Sequence, residues 1–208
     1  MNRQLLFLIV YLGCCSCSTA WFGWDSSNEE LSIHQSTLKR MKMIAKKFGY
    51  ELHQLDLNRD NYPDIFKFYK TQYSKNEDVA SMNLRRKDID MNHDGKIDCV
   101  KTYSLNQELL EEKSDLDFDG RMDSTSFYSQ SQLRRKEIDI NYDGKPDIIK
   151  RYTNEELRSI ETDQNGNGII DTWEYFEEGK LDRIGHDTDE DGLVDVWERL
   201  NPALPKET

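Results

Sequence analysis

A mainly β fold is predicted for this chain, a β-meander of tandem antiparallel hairpins preceded by one helix. First, the pattern Asp-x-[Asp/Asn]-x-[Asp/Asn]-[Gly/Asn]-x-x-Asp occurs six times, and its last five copies begin 24 or 25 residues apart. Such a period indicates tandem supersecondary units. Second, each copy is flanked by short stretches rich in Ile, Phe, Thr and Tyr, which are typical of strands. Third, the connections between these stretches are so short that neighbouring strands must be antiparallel.

The composition supports a repeat protein. With 208 residues, 36% of them hydrophobic and 33% charged, the chain has few apolar residues for a compact two-layer core. A repeat array whose sheet is largely exposed to solvent fits this proportion of apolar and charged residues. The net charge of −12 argues against nucleic acid and anionic membrane as partners of the main body.

Residues 1–20 are predicted to be an export signal. Arg3 gives a positive start, and the apolar run 5–12 is too short to span a membrane. Ser18-x-Ala20 suits ordinary cleavage, whereas Leu12-Gly13-Cys14 resembles a relaxed bacterial lipobox with Cys14 as the lipidated residue. We therefore expect an exported, membrane-anchored lipoprotein, periplasmic or at the cell surface; a secreted protein is the alternative.

Residues 21–49 are predicted to form a tether followed by an amphipathic helix over Glu29 to Phe48. The periodicity places these apolar residues on one face: Leu38, Met41, Ile44, Ala45 and Phe48. Five basic residues make this helix the one basic patch of the chain: Lys39, Arg40, Lys42, Lys46 and Lys47. We interpret the helix as a cap that packs on the end of the array. The alternative is a helix that lies on a membrane surface or binds an acidic partner.

The repeat domain covers residues 50–208. When its units are aligned on the first aspartate, the sixth residue before it is leucine in five of six units: Leu84, Leu109, Leu133, Leu157 and Leu181. Position 14 is aromatic in five of six units: Tyr69, Tyr103, Tyr128, Tyr152 and Phe176. Each unit is predicted to be strand, loop, strand, which gives ten to twelve strands with all acidic loops on one edge. We interpret the aromatic row as sheet packing; a platform on which a ligand stacks is the alternative.

The loops carry the chemistry of a calcium site. Side-chain oxygens at positions 1, 3, 5 and 9, with the carbonyl of position 7, can surround a hard cation, and glycine at position 6 allows a sharp turn. A flexible all-oxygen site favours Ca²⁺. Six such ions would roughly neutralise the net charge of −12. The predicted ligands are Asp56, Asn58, Asp60, Asp64, Asp90, Asn92, Asp94, Asp98, Asp115, Asp117, Asp119, Asp123, Asp139, Asn141, Asp143, Asp147, Asp163, Asn165, Asn167, Asp171, Glu174, Asp187, Asp189, Asp191, Asp195 and Glu198.

The last unit resembles the twelve-residue EF-hand loop at every ligand position, including Gly192 at position 6 and Glu198 at position 12. With Asn201-Pro202 after it, it also resembles the thrombospondin type 3-like and dockerin-like calcium repeats of secreted bacterial proteins. The resemblance implies calcium binding, tightest in this unit because five carboxylates converge. The first four units depart from the pattern at position 12, which is Lys67, Lys101, Ser126 and Lys150. The flanking helices of true EF-hands are not evident, so their fold is not expected.

No catalytic motif such as Gly-x-Ser-x-Gly or His-Glu-x-x-His occurs. We therefore expect a non-catalytic calcium-binding protein that presents its sheet as a structural or interaction surface. The first alternative is a hairpin-repeat interaction module, resembling YD or MORN arrays, in which calcium is incidental. The second is a carboxylate-based hydrolase. The expected partners are calcium ions, an unidentified protein and, through the lipid, a membrane, but not nucleic acid.

Overall fold

The computed structural model describes residues 26–73 and 80–200. The predicted signal segment, Cys14 and Asn201-Pro202 lie outside the described residues. Within them the chain forms one helix and one sheet of twelve strands. The prediction of a mainly β fold with a helix before the repeats is confirmed.

The helix, α1, spans Ser26–Phe48, three residues longer at its start than predicted. The strands are β1 Glu51–Leu55, β2 Ile65–Tyr73, β3 Ala80–Ile89, β4 Cys99–Tyr103, β5 Leu109–Ser114, β6 Ser124–Ser129, β7 Gln132–Ile138, β8 Ile148–Thr153, β9 Glu156–Thr162, β10 Thr172–Glu177, β11 Lys180–His186 and β12 Val196–Arg199.

Strand order in the sheet equals strand order in the sequence, and each strand pairs antiparallel with its neighbours. The β-meander prediction is therefore confirmed. Each acidic loop joins two strands at the same edge of the sheet, and the residues on either side of it face each other, as Ile138 and Ile148 do. We call these six connections the edge loops: residues 56–64, 90–98, 115–123, 139–147, 163–171 and 187–195.

The repeated leucine and aromatic positions are cross-strand neighbours. The pairs are Tyr69 with Leu84, Tyr103 with Leu109, Tyr128 with Leu133, Tyr152 with Leu157, and Phe176 with Leu181. In every case the register shifts by one residue directly beside the aromatic residue. Such a bulge bends and twists the hairpin. The two repeated sequence positions thus mark a β-bulge that occurs in five hairpins of the described sheet.

Helix α1 packs on one face of the first strands. Met41 and Ala45 of α1 form a buried cluster with Phe66, Phe68 and Ile97. Because side chains alternate along a strand, the other face carries the residues between these. We call the face with Phe66 and Phe68 the helix-side face, and the opposite face, with Lys67 and Tyr69, the open face. Among the described elements, none lies on the open face.

The end of α1 differs slightly from expectation. Phe48, predicted on the packed side, is half-exposed and stacks on Tyr50 with ring centroids 5.7 Å apart. Gly49 terminates the helix with φ +62°, as its position predicts. The Lys70 ammonium donates hydrogen bonds to the carbonyls of Phe48 (3.0 Å) and Gly49 (3.3 Å), where a cation is favoured by the helix dipole. The described helix is not apolar enough over a sufficient length to cross a membrane.

Candidate metal centre

All six edge loops share one backbone conformation. Position 6 is left-handed in each, with φ from +76° at Asn61 to +97° at Gly120. Glycine reaches this region at low cost, and asparagine is the usual second choice. Position 4 is also left-handed in every loop, although it is glycine only at Gly166. The sequence gives no sign of this second turn, because residues as different as Arg59 and Phe118 stand there.

Hydrogen bonds from backbone amides fix the first and ninth carboxylates. In the third edge loop, Asp115 accepts from Gly120 N at 2.7 Å and Asp123 accepts from Leu116 N at 2.6 Å. The other five loops make the same two bonds. These contacts use the Oδ2 atom of the carboxylate. The other oxygen, Oδ1, is buried without a partner in Asp98 and Asp123, whereas in Asp115 it accepts from Phe118 N at 2.7 Å.

The third edge loop gathers the most complete set of carboxylates. One oxygen from each of Asp115, Asp117, Asp119 and Asp123 lies within 4.8 Å of the others. Asp123 is 7% exposed, and its Oδ1 atom is buried with no hydrogen-bond partner. An ionised oxygen buried without a partner is costly, and such oxygens in proteins are paired or bind metals. The residues present therefore fit a divalent cation. Arg121 binds Asp119 at 2.6 Å and lowers the pKa of that carboxyl.

The second and fourth edge loops repeat this feature. Asp90 and Asp98 are 3% and 1% exposed, and each has a buried Oδ1 without a partner. Burial is the main cause that raises the pKa of both carboxyls above its ordinary value. Asp139 in the fourth loop also has an unpartnered buried oxygen. The second, third and fourth edge loops thus each contain a buried carboxylate oxygen that has no hydrogen-bond partner in the protein.

The first edge loop differs because its ninth carboxylate is paired with a side chain of the next loop. Asp64 is 1% exposed, and His93 of the second loop donates from Nδ1 to it at 2.8 Å. Burial alone would raise the pKa of Asp64, but the amides of Leu57 and Asn58, together with His93, lower it. The sequence carries no signal for this contact, since His93 stands at the fourth position, which has no assigned role.

The sixth edge loop brings together three of its five predicted ligands, Asp187, Asp189 and Asp195. Repulsion from Asp191 is the largest cause that raises the pKa of Asp189. Glu198 lies in β12 opposite Ile184 and is outside this group.

The fifth edge loop has only two carboxylates, at its first and ninth positions. The two asparagines of this loop, Asn165 and Asn167, accept hydrogen bonds from loop amides. Glu174, the further ligand predicted here, lies in β10 between Ile160 and Ile184. In the fifth and sixth units, the twelfth residue of the motif, Glu174 or Glu198, therefore lies in a strand and on the open face.

A ladder of backbone hydrogen bonds joins the loops along the edge. The first aspartate of each unit donates its amide to the carbonyl of the ninth aspartate in the preceding unit, at 2.8 or 2.9 Å. The five pairs are Asp90 to Asp64, Asp115 to Asp98, Asp139 to Asp123, Asp163 to Asp147, and Asp187 to Asp171. A ligand that restrains one loop therefore also restrains the neighbouring loops through these hydrogen bonds.

Together, the sheet and its loops define an antiparallel hairpin-repeat protein whose acidic clusters can bind metal. No protein-family model matches the chain, and no curated protein matches it. Among solved structures it is similar to accessory secretory protein 1, 2 and 3 of Streptococcus pneumoniae, with 18% identity and a TM-score of 0.33 over 54% of this chain and 22% of that chain. It is also similar to a mutant of S. aureus TarM in complex with Fondaparinux, alpha-GlcNAc-glycerol and UDP, with 10% identity and a TM-score of 0.35 over 74% of this chain and 27% of that chain.

These similarities correct one prediction. The sequence predicts a protein without enzymatic activity, but both similar structures are of glycosyltransferase-like proteins. The prediction of a non-catalytic protein is contradicted and is withdrawn. This chain spans about a quarter of the length of those two chains. With TM-scores below 0.5, the similarities assign no reaction and no substrate to it.

Proposed function

We propose that the protein is an exported calcium-binding repeat protein, anchored through Cys14, whose edge loops hold ions that stabilise the hairpin array. The observation that carries this proposal is the third edge loop. Four carboxylates converge there within 4.8 Å, and one of their buried oxygens, Oδ1 of Asp123, lacks a partner. A divalent cation would supply that partner and offset the repulsion among the four charges.

Calcium fits this donor set better than other common cations. Every side-chain donor is a carboxylate or amide oxygen, and Ca²⁺ accepts six to eight oxygens in flexible geometry, some of them from water. Mg²⁺ requires near-ideal octahedral geometry and retains several waters. Soft metals prefer sulfur or imidazole ligands. The resemblance of the loops to EF-hand loops supports the same choice.

The proposed role of the ions is structural. Successive edge loops are two strands apart, so neighbouring ions would lie roughly 10 Å apart. The amide ladder joins each loop to the next. An ion bound in one loop would hold the first and ninth aspartates together and, through them, the ends of three or four strands. Calcium would then stabilise the sheet along the whole edge rather than at isolated points.

The deciding experiment is a calorimetric titration of the mature chain with CaCl2, followed by the same titration with MgCl2. We expect calcium to bind at several sites and magnesium to bind more weakly. Asp123→Asn should remove the third site, whereas Glu177→Gln, an exposed acid at the end of β10, should leave binding unchanged. Absence of calcium binding at millimolar concentration would refute the proposal.

A second function is supported by the open face, which no described element covers. In this alternative the hairpin array is an interaction module, and calcium is incidental. The two proposals differ in one measurable property. Folding must depend on calcium in the first, whereas partner binding and folding are both insensitive to chelators in the second.

A further inference from the structure

One line of directly opposed residues crosses the open face through all twelve strands. Its members, in strand order, are His53, Lys67, Lys87, Lys101, Glu112, Ser126, Lys136, Lys150, Ile160, Glu174, Ile184 and Glu198. Five of the seven members between β2 and β8 are lysines, and one is acidic. We call this segment, from Lys67 to Lys150, the lysine row. It is a basic stripe in a chain with net charge −12, and it adds a second basic surface to that of α1.

The lysine row accounts for a departure noted in the sequence. Lys67, Lys101 and Lys150 stand at position 12 of their loop motifs, where an EF-hand loop carries a glutamate. The register places all three on the open face, in line with Lys87 and Lys136 of the intervening strands. The residues at position 12 therefore line a surface rather than an edge loop.

The lysine row is electrostatically unfavourable in the protein alone. Lys87 lies directly opposite both Lys67 and Lys101, and Lys136 lies opposite Lys150. Like charges opposite each other destabilise a sheet. In the described part of the chain, Lys101 alone among these lysines has an acidic partner within 4.0 Å, Glu112 at 3.0 Å. An anionic ligand along the row would reduce this repulsion.

The surroundings of the lysine row show what kind of anion it fits. Two residues beyond Lys67, Lys101 and Lys150, on the same strands and the same face, lie the half-buried rings of Tyr69, Tyr103 and Tyr152. These tyrosines form a second row parallel to the first. Toward the edge loops, the next row is mostly apolar: Ile65, Ile89, Cys99, Ser114, Ser124, Ile138 and Ile148. A matching ligand therefore combines spaced negative charges with flat apolar surfaces and with polar groups that can bond to the tyrosine hydroxyls.

We propose that the open face binds an acidic polysaccharide that lies across the strands along the lysine row. Its acidic groups pair with the lysines, its sugar rings pack on the tyrosines, and its hydroxyls bond to the tyrosine hydroxyls. From Lys67 to Lys150 there are six strand steps, which corresponds to roughly 29 Å at about 4.8 Å per strand. This binding site does not require that the edge loops bind calcium.

Two other polyanions fit less well. The acidic edge loops begin three residues from the lysine row, about 10 Å away at about 3.3 Å per residue. That distance is comparable with the Debye length of about 8 Å at physiological salt. The edge loops repel every polyanion, so the distinction rests on the rings: nucleic acid bases stack on exposed aromatic faces, whereas these tyrosine rings are half-buried beside leucines. A lipid surface is planar, whereas a sheet of this length twists.

The test uses the full mature chain and five probes in low-salt buffer with calcium. The probes are polygalacturonate, dextran sulfate, neutral dextran, an oligothymidine and anionic phospholipid vesicles. We expect binding to at least one of the two acidic polysaccharides, weakened by added salt, and none to neutral dextran. Binding of the oligothymidine or the vesicles more tightly than either polysaccharide would overturn the proposal, as would failure of both polysaccharides to bind.

Matched variants locate the site. The double substitution Lys87→Gln and Lys136→Gln should weaken polysaccharide binding at least tenfold. The control, Lys39→Gln with Lys42→Gln, removes the same charge from the exposed side of α1 and should leave binding unchanged. Equal loss in both double variants would overturn the proposal.

Tyr152→Leu keeps an apolar side chain and should weaken binding without unfolding the protein. Thermal melts should show the lysine-row variant at least as stable as the wild type, because repulsion is removed. Repeating the binding assay with chelator on folded protein separates this proposal from calcium binding.

Discussion

The hydroxyl of Thr37 in α1 donates a 2.7 Å hydrogen bond to the backbone carbonyl of Gly95 in the second edge loop. One turn earlier, His34 stacks on Tyr62 of the first edge loop, with ring centroids 4.2 Å apart. Both contacts are on the buried side of the helix. The helix is thus attached to the loops themselves as well as to the sheet beneath it.

Substitution of Thr37 by valine should destabilise the protein. The change keeps the shape of the side chain but leaves the Gly95 carbonyl without its donor, which costs about 1–3 kcal/mol for a buried group. The measurement is the free energy of unfolding in urea. Ser36→Ala is the control, since the exposed Ser36 hydroxyl bonds only to Ile33 of its own helix. Equal effects of the two substitutions would contradict the interpretation.

The left-handed sixth position can be tested at Gly144. Its φ is +86°, and a Cβ added there meets no atom within 4 Å. Gly144→Ala should therefore destabilise through backbone strain alone, by about 1–2 kcal/mol. Gly144→Asn should cost less, because Asn61 adopts the same conformation in the first loop with φ +76°. Thermal melts of both variants measure the difference, and an alanine variant as stable as the asparagine variant would refute the argument.

Removal of calcium should lower the melting temperature of the full chain. An ion at about 100 times its dissociation constant stabilises the folded state by about 2.7 kcal/mol per site. Without ions, neighbouring acidic loops repel each other across roughly 10 Å. Added monovalent salt should recover part of the loss by screening. Melting curves with chelator, with chelator plus NaCl, and with CaCl2 provide the test. Three identical curves would show that calcium does not stabilise the fold.

Within the sixth edge loop, Asp195→Asn should weaken calcium binding more than Glu198→Gln. Asp195 belongs to the converging group with Asp187 and Asp189, whereas Glu198 lies in β12 opposite Ile184. The measurement is a calcium titration of each variant beside the wild type. A larger effect of the glutamate substitution would restore the full twelve-residue EF-hand assignment for this unit.

The fold could be predicted because its information is local and repeated. The periodic aspartates show where the loops lie. The leucines that recur as at Leu84 and the aromatic residues that recur as at Tyr69 show where the strands between them lie. The contacts between units could not be predicted, since they join residues with no repeated type. His93 reaches Asp64 from the next loop, and the amide ladder uses backbone atoms that every residue possesses. The lysine row was likewise hidden, because only the strand register shows that Lys87 lies between Lys67 and Lys101.

The identity of strand order and sequence order has a consequence for how the chain folds. No pairing in the described sheet joins distant parts of the chain, so the entropy lost in closing each loop is small. Proteins dominated by such local contacts fold faster than other β proteins of similar size. Any hairpin can serve as a nucleus, and the sheet can grow from it in both directions. A chain that emerges gradually from a ribosome or a translocation channel could therefore add one strand at a time, long before its last unit is available.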